Sequence, residues 1–185
     1  MQVFRKSLLR LLRKTGRWSD LPPVSGEDVR HWLDIGRQYE KLLQSVRQAV
    51  GTDQVALIHL WPESGNVSVV DRSTAPDFEV NHGHPSLTVD SPLLRWMESR
   101  QVPITWEELV VLPQFAGMAP QEIAIFEDLQ TELLVPLATH GTLNGILLVG
   151  PKTSLRRYTK ADMGLLQSLA EQAAPIIEAA RLYAL

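Results

Sequence analysis

The sequence predicts an α+β domain in which a central antiparallel sheet of five or six strands carries N- and C-terminal long helices on one face. Two observations favour this class. Short apolar strand patterns come in hairpin-like pairs, one within residues 54–71 and the other within residues 132–150. Long helical patterns over residues 27–50 and 159–183 flank these strands. Strands grouped between helices indicate α+β rather than a doubly wound domain, and we expect the strands to run as a meander.

The composition is that of an ordinary soluble protein. The 185 residues are 44% hydrophobic and 21% charged, with a net charge of -3, which gives no global attraction to nucleic acid. The chain contains no cysteine, so disulfides, thiolate metal sites and cysteine nucleophiles are excluded. No stretch approaches the roughly 20 apolar residues of a membrane-spanning helix. We therefore expect a cytoplasmic protein, peripheral to a membrane if its basic first helix binds there.

Residues 1–18 predict a basic amphipathic helix, followed by a stiff linker over residues 19–26 that contains Pro22-Pro23. The helix is compatible with docking on the protein's own acidic body or a neighbouring subunit. It is also compatible with an anionic membrane surface, where each basic residue contributes on the order of 1 kcal/mol. We expect no nucleic-acid partner, because stacking aromatics and a wider basic face are missing. The apolar side of this helix consists of Phe4, Leu8, Leu11, Leu12 and Trp18.

The domain spans residues 27–185 and begins with a long helix over residues 27–50. Ser25 and Asp28 form a capping-box-like start, and Gly51 is the expected C-cap. The apolar and small residues of this helix alternate at spacings of three and four, which is a heptad seam. Such a seam fits either a parallel homodimer or a helix packed on its own domain, and the sequence leaves both open. The seam residues are Val29, Trp32, Gly36, Tyr39, Leu43, Val46 and Val50.

The middle of the chain predicts two strands and then several short elements. Residues 54–61 and 66–71 form an antiparallel pair, and the polar residues 74–89 form a loop. Ser91 caps a short helix that has Pro92 at its first position. The remaining short elements are a strand at residues 104–105, a helical turn at residues 105–109 and a loop or short helix at residues 120–130.

The closing third has the sharpest pattern. The apolar runs within residues 132–137 and 143–150, joined by the turn signal His140-Gly141, predict a β-hairpin. Thr159 with Asp162 three residues later predicts a capped start for a long helix. A proline inside a helix removes one backbone hydrogen bond, so Pro175 leads us to expect a bend near residues 171–175.

The order of these segments resembles the end of a GAF domain, a small sensory module of bacterial signalling proteins. The resemblance rests on LLVPL, then GTLNGILLVGPK, then YTKAD, then a long apolar-striped helix. The segments SPLLRWM and VPIT, the latter followed by WEEL, are similar to the cross-sheet part of some bacterial GAF domains. The resemblance implies a pocket on the sheet face opposite the long helices, bounded by residues 91–130. Residue type and that location suggest the candidate ligand-binding residues His59, Trp61, Arg95, Trp96, Trp106 and Phe126.

The resemblance also narrows the chemistry. Members that bind cyclic nucleotide carry an upstream Asn-Lys portion, of which Phe126-Glu127-Asp128 is only a partial echo. Members that attach bilin or reduce methionine sulfoxide use cysteine, which this chain lacks. The segment GILLVG followed by Pro151-Lys152 fails as a phosphate loop because its ILLV would be buried in a strand. His82 and His84 lack an identifiable third ligand, so we expect no metal site. No candidate base is paired with a candidate nucleophile in a recognisable local motif, so we expect no catalytic residue. The sequence identifies no cofactor.

Two functions stay open. In the first, the chain is a non-enzymatic sensor that binds an unidentified small molecule and signals through dimeric flanking helices. In the second, it is a structural dimerisation or protein-interaction scaffold whose pocket is filled by Trp96, Trp106 and Phe126. We expect a parallel homodimer with the interface residues Val29, Trp32, Tyr39, Leu43, Val46, Leu166, Leu169, Ala173 and Ile177.

Overall fold

The computed structural model describes residues 38, 40–61, 66–73, 87 and 90–183. The chain divides into two units, Met1–Tyr39 and Glu40–Leu185, and the strands and helices given below belong to the second. Several predictions made for the first part of the chain lie outside the described residues. They are the basic helix over residues 1–18, the linker over residues 19–26, the start of the helix over residues 27–50, and the residues Val29, Trp32 and Tyr39.

A five-stranded antiparallel sheet forms the centre of the second unit, in the order β2-β1-β5-β4-β3. The antiparallel α+β class is therefore confirmed. The predicted meander is wrong, because β1 pairs with β5 as well as with β2. The two hairpins join through β1 and β5, which leaves the two-residue β3 and the polar β2 at the edges of the sheet. The strands are β1 (Val55–Trp61), β2 (Asn66–Ser73), β3 (Ile104–Thr105), β4 (Leu133–Thr139) and β5 (Thr142–Val149).

The hairpin between β4 and β5 turns at His140 and Gly141, which both have positive φ angles, 50° and 85°. A two-residue turn with positive φ at both central residues matches the right-handed twist of the flanking strands. The turn predicted from His140 and Gly141 is therefore confirmed. A register shift follows, with Asn144 as the extra residue of β5. Asn144 is buried and its amide donates to the Thr139 hydroxyl at 3.0 Å. Beyond the shift, Gly145 is required, since a Cβ there would lie 2.7 Å from the carbonyl oxygen of Ile58.

The described residues contain five helices. Helix α1 is described over residues 40–50 and ends at Gly51, whose φ of 66° and hydrogen bond to the Arg47 carbonyl confirm the predicted C-cap. Ser91 is the N-cap residue and Pro92 begins the helix, both as predicted. The Ser91 side chain makes no capping hydrogen bond, however, and its hydroxyl instead donates to Glu122 at 3.2 Å. The other helices are α2 (Pro92–Arg100), α3 (Trp106–Val111), α4 (Pro120–Asp128) and α5 (Lys160–Tyr183), with a 3-10 turn at Pro113–Phe115.

The sheet is covered on both faces. Helix α5 packs on β4 and β5, and its buried residues recur at helical spacing: Leu166, Ala170, Ala173, Ala174 and Ile177. The opposite face packs against residues of α2, α3, the 3-10 turn and α4 in one apolar cluster that includes Ile58 and Ile146. The segment predicted to cover the face opposite the long C-terminal helix therefore does so. Placement of α1 on the face with α5 stays a prediction, as does a bend at Pro175, through which α5 continues.

Candidate functional site

The face opposite α5 is filled by aromatic side chains that the sequence offered as pocket walls. Phe126 is fully buried, and its ring centroid lies 5.6 Å from that of Trp106. Trp96 makes an edge-to-face contact with Phe115, with centroids 5.7 Å apart and planes at 71°. This separation and angle are those of favourable aromatic pairs. The structure thus brings Trp106 and Phe126 together as part of the apolar cluster, with Trp96 packed against the same cluster.

The other candidate wall residues are not part of this packing as far as the structure describes them. Arg95 points to solvent and forms an ion pair with Asp90 at 2.7 Å. For His59 only the backbone position is described, opposite Ser68 of β2 and Gly145 of β5. Trp61 pairs with Asn66 at the end of β1. A ligand-binding role for His59, Trp61 and Arg95 stays a prediction.

A groove that the sequence analysis missed opens at the end of α3. We call it the α3–α4 groove; it has a volume of about 210 Å³. Val110 and Val111, at its rim, are 56% and 74% exposed. The last three residues of this short helix, Leu109, Val110 and Val111, are all apolar and point about 100° apart. They cannot all face one core, and this signal could have located the groove. The groove is lined by Leu109, Val110, Val111, Leu112, Pro113, Phe115, Ala116, Met118 and Ile123.

A polar junction joins the end of β5 to the start of α5. The Thr52 hydroxyl donates to the Pro151 carbonyl at 2.8 Å, and the Tyr158 hydroxyl donates to the Gly150 carbonyl at 2.7 Å. Burial raises the pKa of Tyr158 well above its ordinary range, so this phenol remains a hydrogen-bond donor at neutral pH. These bonds tie the sheet edge to the segment that leads into α5.

Asp162 is the charged centre of that junction. It accepts hydrogen bonds from the Thr159 backbone and hydroxyl, both at 2.7 Å, and the Asp162 amide donates back to the Thr159 hydroxyl at 3.2 Å. The capping box predicted from these two residues is therefore confirmed. Burial opposes ionisation of Asp162, but hydrogen bonds from Lys152 and Thr159 outweigh it and lower its pKa to about 2.

The predicted dimer interface consists largely of residues that are buried within a single chain. Leu43, Val46, Leu166, Ala173 and Ile177 are each at most 4% exposed. These side chains cannot also meet a partner helix unless their own helices leave the core. Dimerisation itself stays a prediction.

Helix α5 carries a second stripe beside the buried one, at spacings of four, three and four, and three of its four residues are apolar. We call Leu165, Leu169, Gln172 and Ile176 the α5 outer seam. Leu165 and Gln172 are exposed, while Leu169 and Ile176 are half-buried. Only Leu169 of this seam was among the predicted interface residues, because both stripes fit an alternation of three and four.

The described residues hold no group of three or more His, Asp or Glu side chains arranged to bind a metal ion. No helix in this part of the chain is both long and apolar enough to cross a membrane. His82 and His84 lie outside the described residues.

Comparison with known proteins identifies similar folds. A family model described as GAF domain matches residues 34–178. No curated protein matches the chain. A GAF domain/HD domain protein from Geobacter sulfurreducens has a TM-score of 0.61 and 15% identity, covering 78% of this chain and 92% of that one. Residues 122 to 287 of a methyl-accepting chemotaxis protein give a TM-score of 0.60 at 17% identity, with 83% and 96% covered. The GAF domain of a two-component sensor histidine kinase from Bacillus halodurans gives 0.56 at 15% identity, with 81% and 97% covered.

Proposed function

The chain belongs to the GAF domain family, and on that premise we propose that it is a non-enzymatic regulatory module that signals through the flanking helices of a homodimer. The similar solved structures include a segment of a methyl-accepting chemotaxis protein and the GAF domain of a two-component sensor histidine kinase, which supports a signalling role. In this proposal α1 and α5 carry the output, and a change in how two copies pack is the signal.

The α5 outer seam is the observation that carries the proposal. A helix needs only one apolar stripe to pack on its own sheet, and α5 meets that need with the buried stripe from Leu166 to Ile177. The outer seam leaves Leu165 exposed and keeps the 3.5-residue period of paired helices. A second copy of α5, aligned in parallel, would cover it. This seam replaces the buried residues of the predicted interface.

Two versions of this proposal differ in whether the domain binds a small molecule. In the version that the packing favours, the domain binds none and acts as a scaffold, because Phe126, Trp96 and Trp106 occupy the face where a family ligand would be expected. In the other version a small molecule binds among the candidate ligand-binding residues, and these aromatic side chains must move apart to admit it. Native mass spectrometry of protein purified from its own host distinguishes the two, since only the second form predicts a co-purifying small molecule.

Sedimentation velocity tests the dimer. We expect the unaltered chain to sediment as a dimer and the double variant Leu165→Glu with Leu169→Glu to sediment as a folded monomer, because four carboxylates would face one another in the seam. Leu155→Glu is the matched control, since Leu155 is 89% exposed and lies before α5. A monomeric unaltered chain, or a dimer that survives the double change, would contradict the proposal.

A further inference from the structure

The α3–α4 groove has the dimensions of a socket for one side chain. Pockets that hold drug-sized molecules have volumes of about 300–1,000 Å³, and this groove has about 210 Å³. Its lining is apolar, and Val110 and Val111 extend that apolar surface into solvent. A single leucine or aromatic side chain inserted here would be desolvated on several sides, as are the anchors that dominate the energy of protein interfaces.

The walls of the groove are held in place before any partner arrives. The Thr105 hydroxyl accepts from the Glu108 amide at 3.2 Å and the Glu108 carboxylate accepts from the Thr105 amide at 3.1 Å, which fixes the start of α3. Phe115, in the wall, is buried and packed against Trp96. A socket that is already formed binds more tightly, because little conformational entropy is lost on binding.

Charge around the groove selects the kind of partner. From residue 101 to residue 151 the sequence contains six acidic residues and no lysine or arginine. Four of the acids are exposed on α3 and α4, the helices that border the groove: Glu107, Glu108, Glu127 and Asp128. Glu107 pairs with Arg157 at 3.1 Å, but both side chains are largely exposed, so a competing base can replace that contact. Such a surface repels anionic lipid and nucleic acid and attracts a basic segment.

We propose that the α3–α4 groove docks a basic amphipathic segment of a partner protein, which inserts one large apolar side chain beside Val110 and Val111. The acidic residues of α3 and α4 steer the segment by its lysine or arginine side chains. This is helix-in-groove recognition with a single anchor. The site is separate from the α5 outer seam, so it requires no change in the oligomeric state.

Fluorescence anisotropy with the full chain tests the docking. The probe is a fluorescein-labelled helical peptide of leucine and lysine with one tryptophan, and its counterpart carries glutamate in place of lysine. We expect Val111→Asp to weaken binding of the lysine peptide about tenfold or more, since it places a charge in the socket. Val102→Asp is the matched control because Val102 is 47% exposed but does not line the groove. The affinity of the Val102→Asp variant for the lysine peptide should stay within about twofold of that of the unaltered chain.

Three results would overturn the proposal. The first is equal affinity of the lysine peptide for the Val111→Asp and Val102→Asp variants. The second is equal binding of the glutamate peptide, which would remove the role of charge. The third is binding to phosphatidylserine vesicles that is lost in Val111→Asp, which would assign the groove to a membrane.

Circular dichroism confirms that both variants are folded, and Val110→Asp repeats the test at a second rim position. The seam variant Leu165→Glu with Leu169→Glu should bind the peptide normally, so failure of the dimer and failure of the docking are distinguishable.

Discussion

The Lys152 ammonium donates a 2.6 Å hydrogen bond to the Asp162 carboxylate, joining the segment that follows β5 to the first turn of α5. The two side chains are only 12% and 19% exposed. Lys152 also lies 5.1 Å from the centre of the Tyr158 ring, within range of a cation–π interaction. Because Asp162 is at once the ion-pair partner and the helix cap, one carboxylate fixes the direction in which α5 leaves the sheet.

Replacing Lys152 by methionine should lower the free energy of unfolding by about 1–3 kcal/mol, because it leaves a partly buried carboxylate without its counter-charge. Urea unfolding followed by circular dichroism at neutral pH measures the change. Arg95→Met is the control, since Arg95 and Asp90 are 68% and 89% exposed and such pairs contribute about 0–1 kcal/mol. Equal losses in the two variants would show that the junction is no stronger than a surface pair.

Acid should remove the contribution of Asp162 to the free energy of unfolding over a defined pH range. Its pKa falls from 3.8 to about 2 in the folded chain, so the unfolded chain binds the proton more readily. Stability from this group is then fully present above about pH 4 and is lost as the pH falls toward 2. The difference in unfolding free energy between the unaltered chain and Asp162→Asn should therefore shrink across that range. A difference that stays constant from pH 5 to pH 2 would argue against the lowered pKa.

Phe126 should behave as a core residue rather than as the wall of an open pocket. Phe126→Ala removes a fully buried ring and should cost about 3–5 kcal/mol of unfolding free energy. Phe126→Leu should cost less because it leaves a smaller cavity. Val111→Ala, at an exposed position, is expected to stay within about 0.5 kcal/mol. A small loss for Phe126→Ala would instead favour a ligand pocket at this position.

Replacing each of two glycines by alanine should change the free energy of unfolding in opposite directions. Gly145→Ala should destabilise the chain by more than about 1 kcal/mol, because the new methyl would lie 2.7 Å from the Ile58 carbonyl oxygen in the neighbouring strand. Gly164→Ala should stabilise it by about 0.5–1 kcal/mol, since Gly164 is exposed within α5 and its added methyl meets nothing within 4 Å. Thermal unfolding of both variants gives the two signs. Stabilisation by Gly145→Ala would mean that β1 and β5 are not in contact there.

The features that the sequence predicted are those that depend on neighbours along the chain. The His140-Gly141 turn and the Thr159–Asp162 cap each need only a few residues, and both are present. The pairing of β1 with β5 was not predicted, because both strands are largely apolar and an apolar pattern does not specify which strand pairs with which.

The residues of the candidate site were only partly predictable for the same physical reason. Phe126 and Trp106 lie on the predicted face, but the sequence could not decide whether they line a space or fill it, since α3 and α4 are too short for a periodicity to show depth of burial. On α5, spacings of three and four describe the stripe through Leu166 and the seam through Leu165 equally well. Which of them meets the sheet is decided by tertiary packing.

The strand order has a consequence for how the protein folds as it is made. Val55 pairs with Val149, so one edge of β1 stays open until β5 has been synthesised. The β1–β2 hairpin can form early, but a lone hairpin is at best marginally stable. Contacts this distant in sequence slow folding and leave an apolar strand edge exposed meanwhile. A nascent chain stalled before β5 should therefore associate with chaperones, and release from them should coincide with the emergence of the last hairpin.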